Sequence, residues 1–154
     1  MQIETTGLEG LLLIRPTVFA DHRGYFFESF NAGRFRKDTG VSSEFVQDNE
    51  SRSDRGVLRG LHFQLPPHAQ AKLVRVVKGA VLDVCVDIRP DSATYGQHFK
   101  AVLDGANKHM LYIPEGFAHG FHTLEDGTIF AYKCTAYYDK ASERCIRWDD
   151  PALN

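Results

Sequence analysis

The stretch Gly56-Val57-Leu58-Arg59-Gly60-Leu61-His62-Phe63-Gln64 holds the first residues able to do acid–base chemistry. Side chains in a strand repeat a face every second residue, so His62 and Gln64 share one. After a Pro66-Pro67 turn, Gln70, Lys72, Val74 and Val76 share a face of the next strand. If the two strands pair antiparallel with their polar faces inward, His62 and Lys72 open onto one cavity. A neutral imidazole there is a general base near pH 7, and an ammonium stabilises an oxyanion. Taken alone, His62 reads as a hydrogen-bonded structural histidine and Lys72 as a solvated strand lysine. Together on apolar strands, with Gln64, they must be desolvated on one wall, which points to a functional site.

Two further segments supply partners. In Tyr112-Ile113-Pro114-Glu115-Gly116-Phe117-Ala118-His119, a Pro/Gly turn delivers His119 at the head of another strand. In Tyr132-Lys133-Cys134-Thr135-Ala136-Tyr137-Tyr138, alternation puts Tyr132 and Tyr138 on one face. A phenol there can donate a proton or stack on a planar ligand, or both rings can be ordinary core aromatics.

The elements that must position these residues are strands. Apolar periodicity predicts nine, over Gly10–Pro16, Gly24–Phe30, Glu44–Gln47, Val57–Gln64, Gln70–Val77, Ala80–Ile88, His98–Leu103, Met110–Ile113 and Thr128–Tyr138. Between Val81 and Ile88, Leu82, Val84, Val86 and Ile88 face one way and Val81, Asp83, Cys85 and Asp87 the other. One face packs and the other lines something more polar. A short helix is expected over Asn31–Thr39, with Asn31 as its N-cap. The expectation is an all-β sandwich or barrel with short peripheral helices.

With 154 residues, 43% of them hydrophobic and 25% charged, the chain suits one domain with a sizeable core. A formal charge of -2 leaves no general footprint for nucleic acid or an anionic membrane. Three cysteines without C-x-x-C spacing and the lack of a signal-peptide pattern lead us to expect a cytoplasmic protein. No apolar run approaches the length that crosses a bilayer.

Gly56, His62 and Gly79 resemble parts of the first cupin motif, and Pro114, Gly116 and His119 match the Pro-x-Gly-x-x-His of the second. Gln64 and Lys72 stand where metal-dependent cupins have a His and a Glu. A protonated lysine supplies no lone pair and repels a divalent cation, so the expectation is a jelly-roll cupin scaffold with a metal-free cavity.

A more specific resemblance rests on six strings in order. They are Phe19-Ala20-Asp21-His22-Arg23-Gly24-Tyr25-Phe26-Phe27-Glu28-Ser29, Phe45-Val46-Gln47-Asp48-Asn49, Val57 to Gln64, Lys72-Leu73-Val74-Arg75, Ile113 to Phe121, and Trp148-Asp149-Asp150-Pro151. Together they resemble the dTDP-4-dehydrorhamnose 3,5-epimerase family. The resemblance implies inversion of a nucleotide-linked 4-keto-6-deoxyhexose at C3 and C5, with no metal and no organic cofactor. Both carbons flank the C4 ketone, so losing either proton gives an enolate with its charge on the C4 oxygen.

Matched position by position, the resemblance implies His62 as base, Tyr132 as acid and Lys72 as the enolate-stabilising cation. It implies that Arg23 and Arg59 hold the nucleotide, and that Phe26, Glu28, Gln47, Asp48, Asn49, Gln64, His119 and Glu143 contact the nucleotide sugar. Tyr138 would stack against it. For Arg23 and Glu28, a surface ion pair is the plainer alternative. The resemblance also implies a homodimer in which N-terminal strands near Arg23 to Glu28 cross to the partner.

The family continues past the position of Asn154 with a tail whose aspartate pairs with the base histidine and whose lysine lies near the nucleotide. Three readings follow: an internal carboxylate such as Asp83 substitutes, turnover is weaker or confined to one carbon, or the chain is cut short. A single-site epimerase and a non-catalytic nucleotide-sugar-binding cupin remain the alternatives in function.

Overall fold

A computed structural model describes residues 1–153. Its strands, in chain order, are β1 (Gln2–Thr5), β2 (Leu12–Arg15), β3 (Phe19–Asp21), β4 (Gly24–Phe26), β5 (Gln47–Ser53), β6 (Leu58–Gln64), β7 (Lys72–Lys78), β8 (Ala80–Asp87), β9 (His98–Asp104), β10 (Met110–Ile113), β11 (Phe117–Thr123), β12 (Thr128–Cys134) and β13 (Glu143–Cys145). One helix, α1, spans Ala32–Thr39, and a single 3-10 turn covers Pro151–Leu153.

The strands form a six-stranded sheet in the order β1-β2-β10-β7-β12-β5 and a five-stranded sheet in the order β13-β6-β11-β8-β9, all pairs antiparallel. The inner faces bury Val74, Val76, Val81, Leu103, Leu111, Phe121 and Phe130 in one core, which Leu8 and Leu11 complete. Strand β8 shows how the two-residue period is used. Val81, Asp83, Cys85 and Asp87 point inward and are buried, while Leu82 and Val84 stand half-buried on the outside.

Helix α1 behaves as its caps dictate. The Arg34 amide donates to Asn31 Oδ1 at 3.0 Å, and Gly40, at φ 74°, takes the left-handed turn that ends the helix. Its one buried residue, Phe35, packs edge-on against Phe45 and Tyr112 and seals the outer face of the six-stranded sheet.

Six of the nine expected strands agree with an observed one to within two residues at both ends. The expected strand Gly24–Phe30 is confined to β4, and Thr128–Tyr138 stops at Cys134. Glu44–Gln47 meets β5 only at Gln47. Strand β5 reads Gln-Asp-Asn-Glu-Ser-Arg-Ser, with no apolar residue to alternate, because it is a sheet edge whose inward positions line a polar cavity. Strands β1, β3 and β13 are too short for periodicity to register, and the seven-residue β11 is not among the nine, because its Phe-Ala-His-Gly-Phe-His-Thr mixes histidines and glycine into the apolar pattern.

The β3–β4 hairpin stands apart from both sheets, with Phe19, Tyr25 and Phe26 each more than half exposed. It is tethered by the buried Lys108, whose Nζ donates to the Tyr25 hydroxyl at 2.9 Å and lies 4.3 Å from that ring's centre. Among the described residues, no helix is long and apolar enough to cross a membrane.

At the end of β8, the fully buried Asp87 carboxylate accepts bonds from Arg89 Nε (2.9 Å), Arg89 Nη2 (2.8 Å), Ser92 Oγ (2.6 Å) and Thr94 Oγ1 (2.7 Å). The same guanidinium lies 4.8 Å from the centre of the Phe117 ring at the start of β11. Burial pushes the Asp87 carboxyl up, but these donors outweigh it and hold the group far below the usual carboxylate range. Its stabilising contribution is therefore present above the ordinary value near 3.8 and fades as pH falls toward the depressed one. Asp87→Ala leaves Arg89 unpaired and should cost about 3 kcal/mol in urea unfolding at pH 7. The gap between variant and parent should narrow as the pH is lowered below 3.8.

Candidate active site

A cavity of about 650 Å³ opens between the sheets. Strand β6 brings His62 and Gln64 to it, β11 His119, β13 Glu143, β7 Lys72, β12 Tyr132 and Cys134, and β5 Gln47 and Asn49. His62 and His119 are direct cross-strand partners. Phe121 and Phe130, stacked with centroids 4.2 Å apart, form an apolar part of the lining.

His62 and Lys72 do share a cavity, but β6 and β7 do not pair. They belong to opposite sheets and face each other across the sandwich. Tyr138 also reaches the cavity, from the loop beyond β12 and not from the strand face that alternation implies. His119 is the third residue of β11, not its head.

Arg59 is the instructive position, since strict alternation puts a residue three before His62 on the other face. Between β11 and β6 the pairing steps from His119↔His62 to Phe121↔Arg59, two residues on one strand against three on the other. This bulge at Gly60–Leu61 returns Arg59 to the cavity wall, where its Nε donates to Ser53 Oγ at 3.0 Å. Gly60 has φ 130°, and any Cβ there would run into the backbone of Gly120, so the bulge needs glycine.

The electrostatics suit proton transfer. Burial pushes the His62 imidazole below its ordinary value, Glu143 opposes the fall, and Lys72 and His119 add to it. Burial also lowers the Lys72 ammonium, against the pull of Cys134, Cys85, Asp83 and Glu143. It raises the Tyr132 phenol, which therefore keeps its proton. Lys72 Nζ sits 5.9 Å from the Tyr132 ring centre.

Asp83 is not the partner of His62. His119 Nε2 donates to both its oxygens, at 2.9 and 3.1 Å, which makes a buried pair behind the cavity. The carboxylate facing His62 is Glu143, whose Oε1 lies 3.8 Å from Nδ1. Asp83, Cys85 and His119 bring three donor atoms within 4.8 Å of one another. His119 Nε2 is already engaged by Asp83, and the Lys72 ammonium adds a repelling charge, so this set suits a hydrogen-bonded wall better than a metal.

Four expected contact residues lie outside the cavity of their own chain. Arg23 and Phe26 are on the hairpin, where Arg23 forks onto Asp21 at 2.6 and 3.0 Å. Glu28 pairs with Arg34 at 3.2 Å, and Asp48 faces outward onto Lys133 at 2.9 Å. For Arg23 and Glu28, the plainer surface ion pair is what this chain makes. Cavity residues with no role read from the sequence include Cys134, whose Sγ accepts a long bond (3.8 Å) from Asn49 Nδ2. Its place two residues after Tyr132 was the signal available.

Two facing antiparallel sheets closed around an acid–base cavity define a cupin-type β-sandwich, here that of an isomerase of the epimerase class. Residues 5–154 match the family model described as dTDP-4-dehydrorhamnose 3,5-epimerase, and the chain belongs to that family. It is 51% identical to the dTDP-4-dehydrorhamnose 3,5-epimerase of Shigella flexneri, over all of this chain and 85% of that protein. The Legionella pneumophila dTDP-6-deoxy-D-glucose-3,5-epimerase, solved in complex with dTDP-4-keto-L-rhamnose, superposes with a TM-score of 0.95 at 49% identity, covering 99% of this chain and 80% of that one. A 3'-monoepimerase from Streptomyces bikiniensis in complex with dTDP-quinovose gives 0.88 at 34% identity, covering 96% and 74%.

Proposed function

We propose that the protein inverts C3 and C5 of a dTDP-linked 4-keto-6-deoxyhexose, with His62 as base, Lys72 as the enolate-stabilising cation and Tyr132 as acid. The observation that carries this reading is that His62 is on one sheet while Lys72 and Tyr132 are on the other. Inversion needs proton removal from one side of a carbon and delivery to the opposite side, and a sugar lying between the sheets meets a base on one wall and an acid on the facing one. The C–H electron pair passes into the enolate, its charge gathers on the C4 oxygen, and the buried ammonium stabilises it there. Tyr132 then donates to carbon, and solvent restores both groups.

Arg59, Gln47, Asn49, Gln64, His119, Tyr138 and Glu143 supply the surrounding contacts to the nucleotide sugar. The free cysteines Cys85, Cys134 and Cys145 suit a cytoplasmic setting.

The test is incubation with dTDP-4-keto-6-deoxyglucose in deuterated water, followed by NMR. Label at C3 and C5 is the expected outcome. Label at a single carbon reduces the activity to a monoepimerase, and no label at all overturns the catalytic reading.

The protein works as a homodimer whose hairpin carries Arg23 and Phe26, and the segment just after it Glu28, to the partner's cavity. Supporting this, the hairpin exposes three aromatic rings and reaches no part of its own chain's cavity. Arg23→Ala and His62→Ala proteins, each inactive alone, should recover about a quarter of parental activity when unfolded and refolded together. Half the dimers are then mixed, with one intact site of two. No recovery would show that the hairpin acts within its own chain.

A further inference from the structure

Lys108, in the turn between β9 and β10, is buried without a carboxylate beside it. Among the described residues its Nζ makes one hydrogen bond, to the Tyr25 hydroxyl at 2.9 Å, and lies over two rings, 4.3 Å from the centre of Tyr25 and 5.9 Å from that of Phe27. A buried amine is costly unless it is partnered, so the partners it has show what it does. All of them belong to residues 25–27, the end of the β3–β4 hairpin and the residue that follows it.

The backbone points the same way. Lys108 has φ 57°, and among the described residues it is the one non-glycine with a positive φ. A residue with a Cβ is disfavoured there, where glycine or asparagine sits more cheaply, so a lysine at this position is accounted for by its side chain. The turn around it is fixed on both sides. Asp104 Oδ1 accepts the amides of Ala106 (2.8 Å) and Asn107 (2.6 Å), and Asn107 Oδ1 accepts the His109 amide at 2.9 Å. The Lys108 amide itself donates to the Asp104 carbonyl at 3.2 Å. Lys108 thus starts from a rigid point on the sandwich.

The hairpin needs such a point. Strands β3 and β4 pair only with each other, and a lone two-stranded ribbon is marginal in water. Alternation puts Tyr25, opposite Ala20, on one face and Phe26, opposite Phe19, on the other. Holding the Tyr25 face leaves Phe26 outward, 69% exposed, and fixes the tip, where Arg23 stands two residues from Tyr25. Phe27 extends the hold, its ring 6.1 Å from that of Tyr25 and 6.0 Å from the Arg75 guanidinium of β7. Within the tip, the fork of Arg23 onto Asp21 sets the guanidinium relative to the ribbon, and Lys108 sets the ribbon relative to the sandwich.

We propose that Lys108 is a positioning residue for nucleotide binding: its bond to Tyr25 clamps the hairpin on the β9–β10 turn and so sets the place and direction of Arg23 and Phe26. This deepens the epimerase reading and rests on the hairpin's serving a nucleotide site. The clamp takes no part in proton transfer. It lowers the cost of ordering the hairpin when the dTDP-sugar binds, so its effect falls on affinity and not on the chemical step.

Lys108→Met is the test, since it keeps the length of the side chain and removes the donor and the charge. Affinity for dTDP, measured by titration calorimetry, should fall about 10-fold, and the KM for dTDP-4-keto-6-deoxyglucose should rise by a similar factor with kcat within about threefold of the parent. Lys108→Arg, which can still donate to the hydroxyl and lie over the rings, should restore most of the affinity. Tyr25→Phe removes only an exposed hydroxyl and should weaken dTDP in the same direction by less. The double variant should match Lys108→Met alone, because both changes break the same bond. Arg23→Ala is the reference for the hairpin. If it weakens dTDP while Lys108→Met and Tyr25→Phe both bind like the parent, the clamp is overturned, even where Lys108→Met melts lower. If Arg23→Ala itself binds dTDP like the parent, the hairpin has no part in nucleotide binding, and the reading beneath the proposal falls together with it.

Discussion

Replacing His62 by alanine should lower deuterium incorporation at both C3 and C5 by about 10³-fold, while dTDP affinity stays within a few-fold of the parent. The two effects separate because the imidazole contributes one proton-accepting nitrogen among many cavity contacts. Stability should change little, since the ring is nearly half exposed and its buried Nδ1 makes no hydrogen bond that could be lost. The truncation leaves a space of imidazole size at the cavity wall, so added imidazole should restore part of the exchange. Parental turnover in His62→Ala would remove the base assignment, and with it the argument from opposed walls.

Lys72→Met separates stability from activity in opposite directions. The side chain keeps its length and loses its charge, so the enolate oxygen loses its cation and kcat should fall about 10²- to 10³-fold. The folded protein, by contrast, no longer holds an ammonium that burial makes costly. The substitution should stabilise by about 1 kcal/mol, a rise in Tm of roughly 2–4 °C. The sign of the pH dependence follows. A lysine whose value is lowered on folding binds fewer protons in the native state than in the unfolded one. The parent should therefore gain on the variant as pH climbs from the depressed value toward the ordinary one near 10.5. Equal activity and a lower Tm would make Lys72 a packing residue instead.

How much of this was legible depended on whether a residue's position obeyed a regular period. His62, Gln64 and Lys72 did: alternation gave their faces, while the shared cavity was expected from a pairing of their strands that the structure replaces with two facing sheets. Arg59 did not, because a bulge inverts the count between it and His62, and a Gly60 in the sequence marks a bulge only once the paired strand is known. The polar edge strand β5 carried no apolar signal at all, so Gln47 and Asn49 were found through resemblance and not through pattern. Sequence offered Asp83 as a partner for His62, but the choice between two histidines of a cross-strand pair turns on which strand neighbours β8. That neighbour is β11, the strand of His119. The hairpin's separation from the cavity was likewise invisible to periodicity, which sees faces and not distances between them.

The division of the chemistry between two sheets bears on the order of events in folding. Neither sheet alone holds the proposed base together with the proposed acid and cation, and the pairings that build each sheet already link residues far apart along the chain, such as His62 with His119 in one and Tyr132 with Asn49 in the other. Long-range pairings of this kind are late and slow to form. With that assignment a partly assembled chain, even one with a complete sheet, should be catalytically silent, and the recovery of proton exchange after dilution from denaturant should time the final closure of the sandwich.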